Sequence, residues 1–405
     1  MYDAIVVGAR CAGSPTAMLL ARNGYRVLLL DRATFPSDVI SNHYIHQPGV
    51  ARLRRWGLLE QVRASGCPPI RRVRFDVGPF ALDGLAPAAG GVREGYGPRR
   101  TVLDKLLVDA AVEAGAELRE AFAVQELIWD GGRVAGVRGR QRGGRAVAEY
   151  ARIVVGADGP RSLVARSVQA PAYDIRPART ICYYSYWSGI PTDGVEMYAR
   201  AGRFLFALPT NDGLTLVGVV WPVDEFATVR ADLEGSFLRT LGEHASGLAE
   251  RALAGRREAR FAGAGDQPFF FRRPYGAGWA LVGDAGYHKD PITAQGISDA
   301  FRDAELLAAA LDQGLSGVRP RAEALAAYQC ARDEAVRPMY EHTYQLAALE
   351  PLPPEMAELF EALRENQDET DRFLGTIAGT TSIPEFFSDE NMRRTIGRAQ
   401  VRPAA

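Results

Sequence analysis

The sequence predicts an α/β fold: a domain built on a parallel sheet, interrupted by an inserted antiparallel β-sheet domain and followed by a helical C-terminal tail. Three observations carry this. Residues 2–31 read as strand, glycine turn, helix and strand. Residues 172–272 are dense in aromatic and strand-forming side chains. At WALVGDAG, from Trp279, the strand–turn–helix style of the N-terminus returns. A pattern that starts at residue 1, stops and resumes near 275 marks the aromatic region as inserted rather than appended.

Each element follows in order. DAIVV is a short buried-type strand; Gly13 to Asn23 is helical in pattern, Gly24 stops that helix, and YRVLLLD supplies the second strand. A polar loop runs to about Asn42, and a helical pattern surrounds VARLRRWGLLEQV. RRVRFDVG is strand-like, GLAPAAGG is a small-residue loop, and TVLDKLLVDAAVEAG is a helix ending at Gly115. From Glu117 to Val155 the pattern is a β-meander, with Asp130-Gly131 as a hairpin signal. CYYSYWSGI, RFLFALP and LTLVGVVW are the clearest strands of the insert. A helix follows from about Gly296 to Gly314, and residues 320–405 are mostly helical with a turn at PLPP. The expected domains are 1–75 with 96–171 and 273–345, then 76–95 with 172–272, then a helical segment 346–405.

The 405 residues allow two closely packed domains, and 47% hydrophobic with 24% charged residues is ordinary for a globular chain. A net charge of -1 argues against nucleic acid or an anionic membrane surface as the main partner. Four scattered cysteines form no CxxC pair, so no metal is expected and a reduced, cytoplasmic setting is. No apolar run approaches the roughly 20 residues of a membrane span. Lys105 and Lys289 are the only lysines.

Three motifs carry chemistry. Gly8-Ala9-Arg10-Cys11-Ala12-Gly13, with Asp31 and Arg32 at the end of the second strand, offers a glycine turn, a helix N-terminus and an acid for ribose hydroxyls. Arg10 stands where such a turn usually has its middle glycine. Asp158-Gly159-Pro160-Arg161-Ser162 opens a second motif that ends at Arg166. Gly283-Asp284-Ala285, followed by Asp290-Pro291 and Gln295-Gly296, is the third. Each alone also reads as a plain strand-to-helix turn, and Asp290 as a helix cap.

In order and spacing the three resemble the class A flavoprotein monooxygenases, the para-hydroxybenzoate hydroxylase-like group, over about residues 1–315. The resemblance implies a Rossmann-like FAD-binding domain. Gly8 and Gly13 would lie under the pyrophosphate, Asp31 on the adenosine ribose, and Arg100 against the cofactor. Asp158 and Gly159 belong to its DGxxSxxR motif. Gly283 and Asp284 would hold the ribityl or pyrophosphate side, and Pro291 to Gly296 would approach the isoalloxazine. It further implies NAD(P)H as reductant, O2 as co-substrate and hydroxylation of an electron-rich small molecule through a flavin C4a-hydroperoxide. Arg10 is expected to contact FAD as a forked donor or to close over it.

The insert is expected to cover the flavin and shape a substrate cavity. Tyr184, Tyr186, Phe204, Phe206 and Trp221 are the lining candidates from their spacing, with ordinary sheet core as the plain alternative. Tyr287 and His288 precede the flavin-facing helix, and with His46 they are the candidate catalytic groups; His43 is a rival. Two other reactions share this fold. A geranylgeranyl-reductase-like reduction of a C=C bond is the main alternative. Halogenation is disfavoured, because no lysine precedes Lys105 and WSGIP only partly matches that group's WxWxIP signature. A non-catalytic flavin-binding protein is an outside reading. A homodimer is one expected assembly, with the tail as dimer contact or cavity lid.

Overall fold

The computed structural model describes residues 1–265 and 267–401. The first sheet runs, edge to edge, Tyr275–Gly276, Trp279–Leu281, Ala146–Gly156, Tyr2–Val7, Val27–Leu30 and Glu117–Arg119. Tyr2–Val7 pairs in parallel with Val27–Leu30 on one side and with the end of Ala146–Gly156 on the other. Both strands are apolar and nearly fully buried, as parallel strands covered on two faces require. The helices Gly13–Arg22, Arg100–Glu113 and Gly296–Ser316 pack on one face around Met18, Leu103, Phe301 and Leu307. The meander Phe122–Asp130, Arg133–Gln141 and Ala146–Gly156 covers the other. Its turn falls at Gly131 and Gly132, both at positive φ, as the Asp-Gly signal predicts.

The second sheet runs Arg256–Arg257, Thr180–Ser188, Thr215–Pro222, Arg203–Pro209, Val195–Arg200, Val73–Asp76 and Ala81–Gly84. Val73–Asp76 pairs in parallel with Val195–Arg200, so the chain enters this layer at Val73, ahead of the boundary drawn from sequence at 75/76. Its outer face carries Leu233–His244 and Ser246–Ala254, two helices hidden by the strand-forming composition of the insert. A small sheet of Ala172–Arg176, Phe269–Arg272 and Tyr287–His288 ties the insert to the first domain. The helical pattern over residues 50–62 is two helices, Gln47–Trp56 and Leu59–Ala64, because Gly57 at φ 81° ends the first.

After the long helix Arg321–Leu346 come Pro354–Arg364, Gln367–Ala378, Ile383–Phe386 and Asp389–Val401. Phe360, Phe373, Leu374 and Phe386 share one core with Phe75, Leu82, Tyr184 and Phe206 of the second sheet. The tail is therefore a wall of the inserted domain's inner face. Among the described residues no helix is long and apolar enough to cross a membrane, and no cluster of His, Cys, Asp and Glu could hold a metal ion.

Candidate active site

A cavity of about 1340 Å³ starts at the carboxyl ends of Tyr2–Val7 and Ala146–Gly156 and continues beneath the second sheet. Crevices beyond parallel-strand ends are where ligands bind in such sheets. Gly8 sits at φ 103°, and a Cβ there would lie 2.4 Å from the Ala157 carbonyl oxygen. A Cβ on Gly13 would lie 1.7 Å from the Gly8 oxygen, so the helix rests directly on the turn. Gly13 thus supports the cleft without lining it.

Asp31 staples that turn: Oδ2 accepts the Ala9 N–H at 2.7 Å and Oδ1 the Ala33 N–H at 2.8 Å. Arg32 lines the cavity beside it. Arg10 also lines the cavity, held by Asp104 at 2.5 Å and the Ser37 hydroxyl at 2.9 Å, with its guanidinium over the Phe35 ring. Asp104 is fully buried and binds Arg100 as well, at 2.9 Å. Asp158 accepts the Leu163 N–H at 2.6 Å and the Ser162 hydroxyl, so this acid caps the helix Leu163–Ser167 while lining the cleft. Asp284 differs: it is exposed in the cleft and, among the described residues, has no hydrogen bond or ion pair.

These residues fit an FAD. The helices Gly13–Arg22 and Gly296–Ser316 both start at the cleft without a side-chain cap, so their first N–H groups and positive potential are open to an anion. Gly159 and Gly296 face open space where a Cβ would point. On the cavity wall, the buried Nδ1 of His46 lacks a partner among the described residues, the mark of a site that expects one. Pro291 lines the passage between this cleft and the chamber under the insert.

Sheet register builds the chamber. Cys182 pairs with Val220 and Val220 with Phe204; Tyr184 pairs with Gly218, Gly218 with Phe206 and Phe206 with Met197. Residues in register share a face, and these form the apolar ceiling. Gly218 leaves room for the Phe206 ring, which a Cβ would meet at 2.2 Å. Leu374, Ile377 and Ala378 of the tail close the far side, and Gln295 Nε2 donates to the Ile377 carbonyl.

Of the sequence-chosen aromatics, Tyr184, Phe204 and Phe206 line the cavity. Tyr186 shares the inner core, but its hydroxyl is taken by His43, and Tyr184 accepts the Ser41 N–H at 3.0 Å. Trp221 is on the wrong face. It pairs with Ile181, packs on Phe237 and donates its indole N–H to Thr240 at 3.1 Å. On Thr215–Pro222 the inward positions are even-numbered, which only the register reveals.

His46 donates from Nε2 to the Thr293 carbonyl at 3.0 Å, and burial lowers its pKa to about 4, so it is neutral with Nδ1 unpartnered. His43 is likewise neutral, lowered to about 3 by burial and by Arg100 and Arg99. His288 donates from Nδ1 to the Pro268 carbonyl at 2.7 Å and stacks on Phe270. The Tyr287 hydroxyl accepts Arg302 at 3.2 Å within a buried ion network, where Asp299 binds both Lys289 and Arg302. Burial raises the Asp299 carboxyl, yet the two cations outweigh it and hold it at about 2. Asp290, read from sequence as a cap, does cap the turn Pro291–Thr293, and it also lines the cavity.

A parallel sheet whose strand ends meet two uncapped helix N-termini, over which a second sheet roofs an apolar chamber, defines a flavin-binding α/β protein. The chain belongs to the FAD binding domain family, whose model matches residues 1–343. It is 30% identical over 311 residues to digeranylgeranylglycerophospholipid reductase 2 of Methanopyrus kandleri, covering 73% of each chain. It is 27% identical over 340 residues to a tryptophan 2-halogenase of Chondromyces crocatus, covering 80% of this chain but only 64% of that protein. Among solved structures, the flavin-dependent brominase Bmp2 shares the fold at TM-score 0.82 and 20% identity, over 98% of this chain and 99% of that one. The probable FAD-dependent monooxygenase pqsL of Pseudomonas aeruginosa matches at TM-score 0.71 and 22% identity, over 92% and 98%. The proteins it is similar to thus bear the names of a reductase, of halogenating enzymes and, by fold alone, of a probable monooxygenase.

Proposed function

We propose that the protein is an FAD-dependent monooxygenase that draws electrons from NAD(P)H, takes one oxygen atom from O2 and hydroxylates an uncharged, compact, aromatic-sized molecule. The observation that carries this reading is the chamber itself. It is continuous with the cofactor cleft, roofed by Tyr184, Phe204 and Phe206, and walled off by Leu374 and Ile377. Aromatic edges and faces suit a planar ring, and the tail wall suits a compact molecule better than a long polyprenyl chain. FAD, when bound, supplies the electron transfer and oxygen activation. The chain's own residues bind and orient. Asp284 offers a free carboxylate for hydroxyl groups, the helix starting at Gly296 favours negative charge beside it, and the apolar ceiling excludes water.

Reduction of a C=C bond is the second reading, favoured by the 30% identity to the Methanopyrus kandleri reductase. Halogenation has less support from the site. The single lysine on the cavity, Lys289, is bound to Asp299 rather than free. The test is turnover under 18O2 with NAD(P)H and candidate aromatic substrates. Incorporation of one labelled atom with equimolar NAD(P)H oxidation is expected. A product that gains two hydrogens without O2 uptake replaces the proposal with the reductase reading, and a halide-dependent product replaces it with the halogenase.

A further inference from the structure

Two carboxyls, Asp290 and Asp299, stand nine positions apart on the cavity wall with opposite surroundings. Asp299 is bound to Lys289 and Arg302, which hold its carboxyl below the ordinary range against its burial. Asp290 is 2% exposed and, among the described residues, forms no ion pair. Its Oδ1 accepts the Ile292 N–H at 2.9 Å, and its Oδ2 meets the Thr180 hydroxyl. Thr180 is the first inward residue of Thr180–Ser188, two before Cys182, so Asp290 stands at the edge of the apolar ceiling, where the chamber joins the cofactor cleft. The groups that face it are His288 from its own loop and Thr180 and Cys182 from the strand; Lys289 and Arg302 are held by Asp299. Burial raises its carboxyl above the ordinary range, against the bonds from Thr180 and Ile292 and the nearby His288. A pair of carboxyls pushed apart in this way divides the work: one fixes charge, the other exchanges a proton.

We infer that Asp290 anchors, and exchanges a proton with, a single hydrogen-bond-donating group of an otherwise apolar, uncharged substrate. This assignment rests on the proposed use of the chamber as a substrate site. When a substrate hydroxyl meets Oδ2, its O–H bond breaks, the proton passes to the carboxylate, and the electron pair stays on the substrate oxygen. The proton returns when the product hydroxyl re-forms, so the chamber gains and loses none overall. Thr180 is a positioning residue that keeps Oδ2 turned to the chamber and stabilises its anionic form. A substrate carboxylate is excluded by the same charge, since like charges in a desolvated site repel.

The test uses the FAD-loaded protein without NAD(P)H and three probes of one ring size, 2-naphthol, naphthalene and 2-naphthoate, titrated by fluorescence. Wild type at pH 8 is expected to bind 2-naphthol about tenfold or more tighter than naphthalene, the span of one charge-assisted hydrogen bond, and 2-naphthoate weakest. The preference is expected to decline as pH falls through the raised Asp290 range. In Asp290→Asn it is expected to shrink several-fold and lose its pH dependence, and Asp290→Glu is expected to restore part of it. Thr180→Val keeps the carboxyl and is expected to move the pH midpoint upward, which guards against an Asn variant that sheds FAD. Equal binding of 2-naphthol and naphthalene by wild type, the same pH dependence in Asp290→Asn, or an unmoved midpoint in Thr180→Val each overturns the assignment. Because no turnover is involved, a failure of oxygen incorporation with these binding results intact removes only the monooxygenase reading.

Discussion

Asp284→Ala separates cofactor binding from folding more cleanly than any other change in the cleft. The Asp284 side chain makes no hydrogen bond or ion pair among the described residues and is exposed in the cavity, so its loss breaks no bond of the folded apoprotein and removes only a through-space attraction to Arg100. A carboxylate accepting one ligand hydroxyl contributes about 1.5–3 kcal/mol, and about 1.4 kcal/mol is tenfold in affinity. FAD affinity is therefore expected to fall about 10- to 150-fold while the unfolding midpoint of the apoprotein stays put. Asp31→Ala is the contrasting control. It leaves the Ala9 and Ala33 N–H groups without their acceptor, so it is expected to destabilise the apoprotein itself by about 1–3 kcal/mol. The assay is titration of apoprotein with FAD, followed by flavin fluorescence, beside thermal unfolding of the same samples. FAD affinity within twofold of wild type would refute the placement of Asp284 in the cofactor site. An apoprotein as destabilised as Asp31→Ala would show that the carboxylate is structural.

Three other outcomes are expected. His43 and His46 are neutral in the folded protein down to about pH 3 and 4, whereas the unfolded chain protonates them below about 6.5. Stability therefore falls as pH drops from 6.5 toward 4, by about 2 kcal/mol per histidine at pH 5; urea unfolding of His46→Gln at pH 7 and 5 is expected to show a shallower loss, and parallel losses would contradict it. Gly218→Ala drives a Cβ into the Phe206 ring at 2.2 Å, so a stability cost of about 1–3 kcal/mol and weaker 2-naphthol binding are expected by denaturation and titration. Trp221→Phe removes the indole bond to Thr240 on the outer face, so it is expected to cost about 1 kcal/mol of stability and leave probe binding unchanged.

The cofactor cleft was largely legible because its determinants are local. Gly8 needs positive φ, and Gly13 and Gly283 need close approach, and each leaves a glycine at a fixed offset from a strand of β-type residues. The chamber was only half legible. Aromatic spacing points to Tyr184, Phe204 and Phe206, which line the cavity, but also to Trp221, which does not, since parity on one strand carries no information about parity on its neighbour. The helices Leu233–His244 and Ser246–Ala254 were missed within a composition dominated by strand formers.

By itself the sequence determined that an interrupted α/β domain presents glycine turns and acids at three strand ends, because backbone conformation and helix N-termini depend on near neighbours. The tertiary structure alone decided that Arg10 is bound by Asp104 and that the tail walls the chamber with Leu374 and Ile377. It also decided that, among the described residues, Asp290 forms no ion pair while Asp299 forms two. Those facts join residues tens to hundreds of positions apart or set by which way a buried side chain turns. Packing and desolvation settle them, and neither is written in any local pattern.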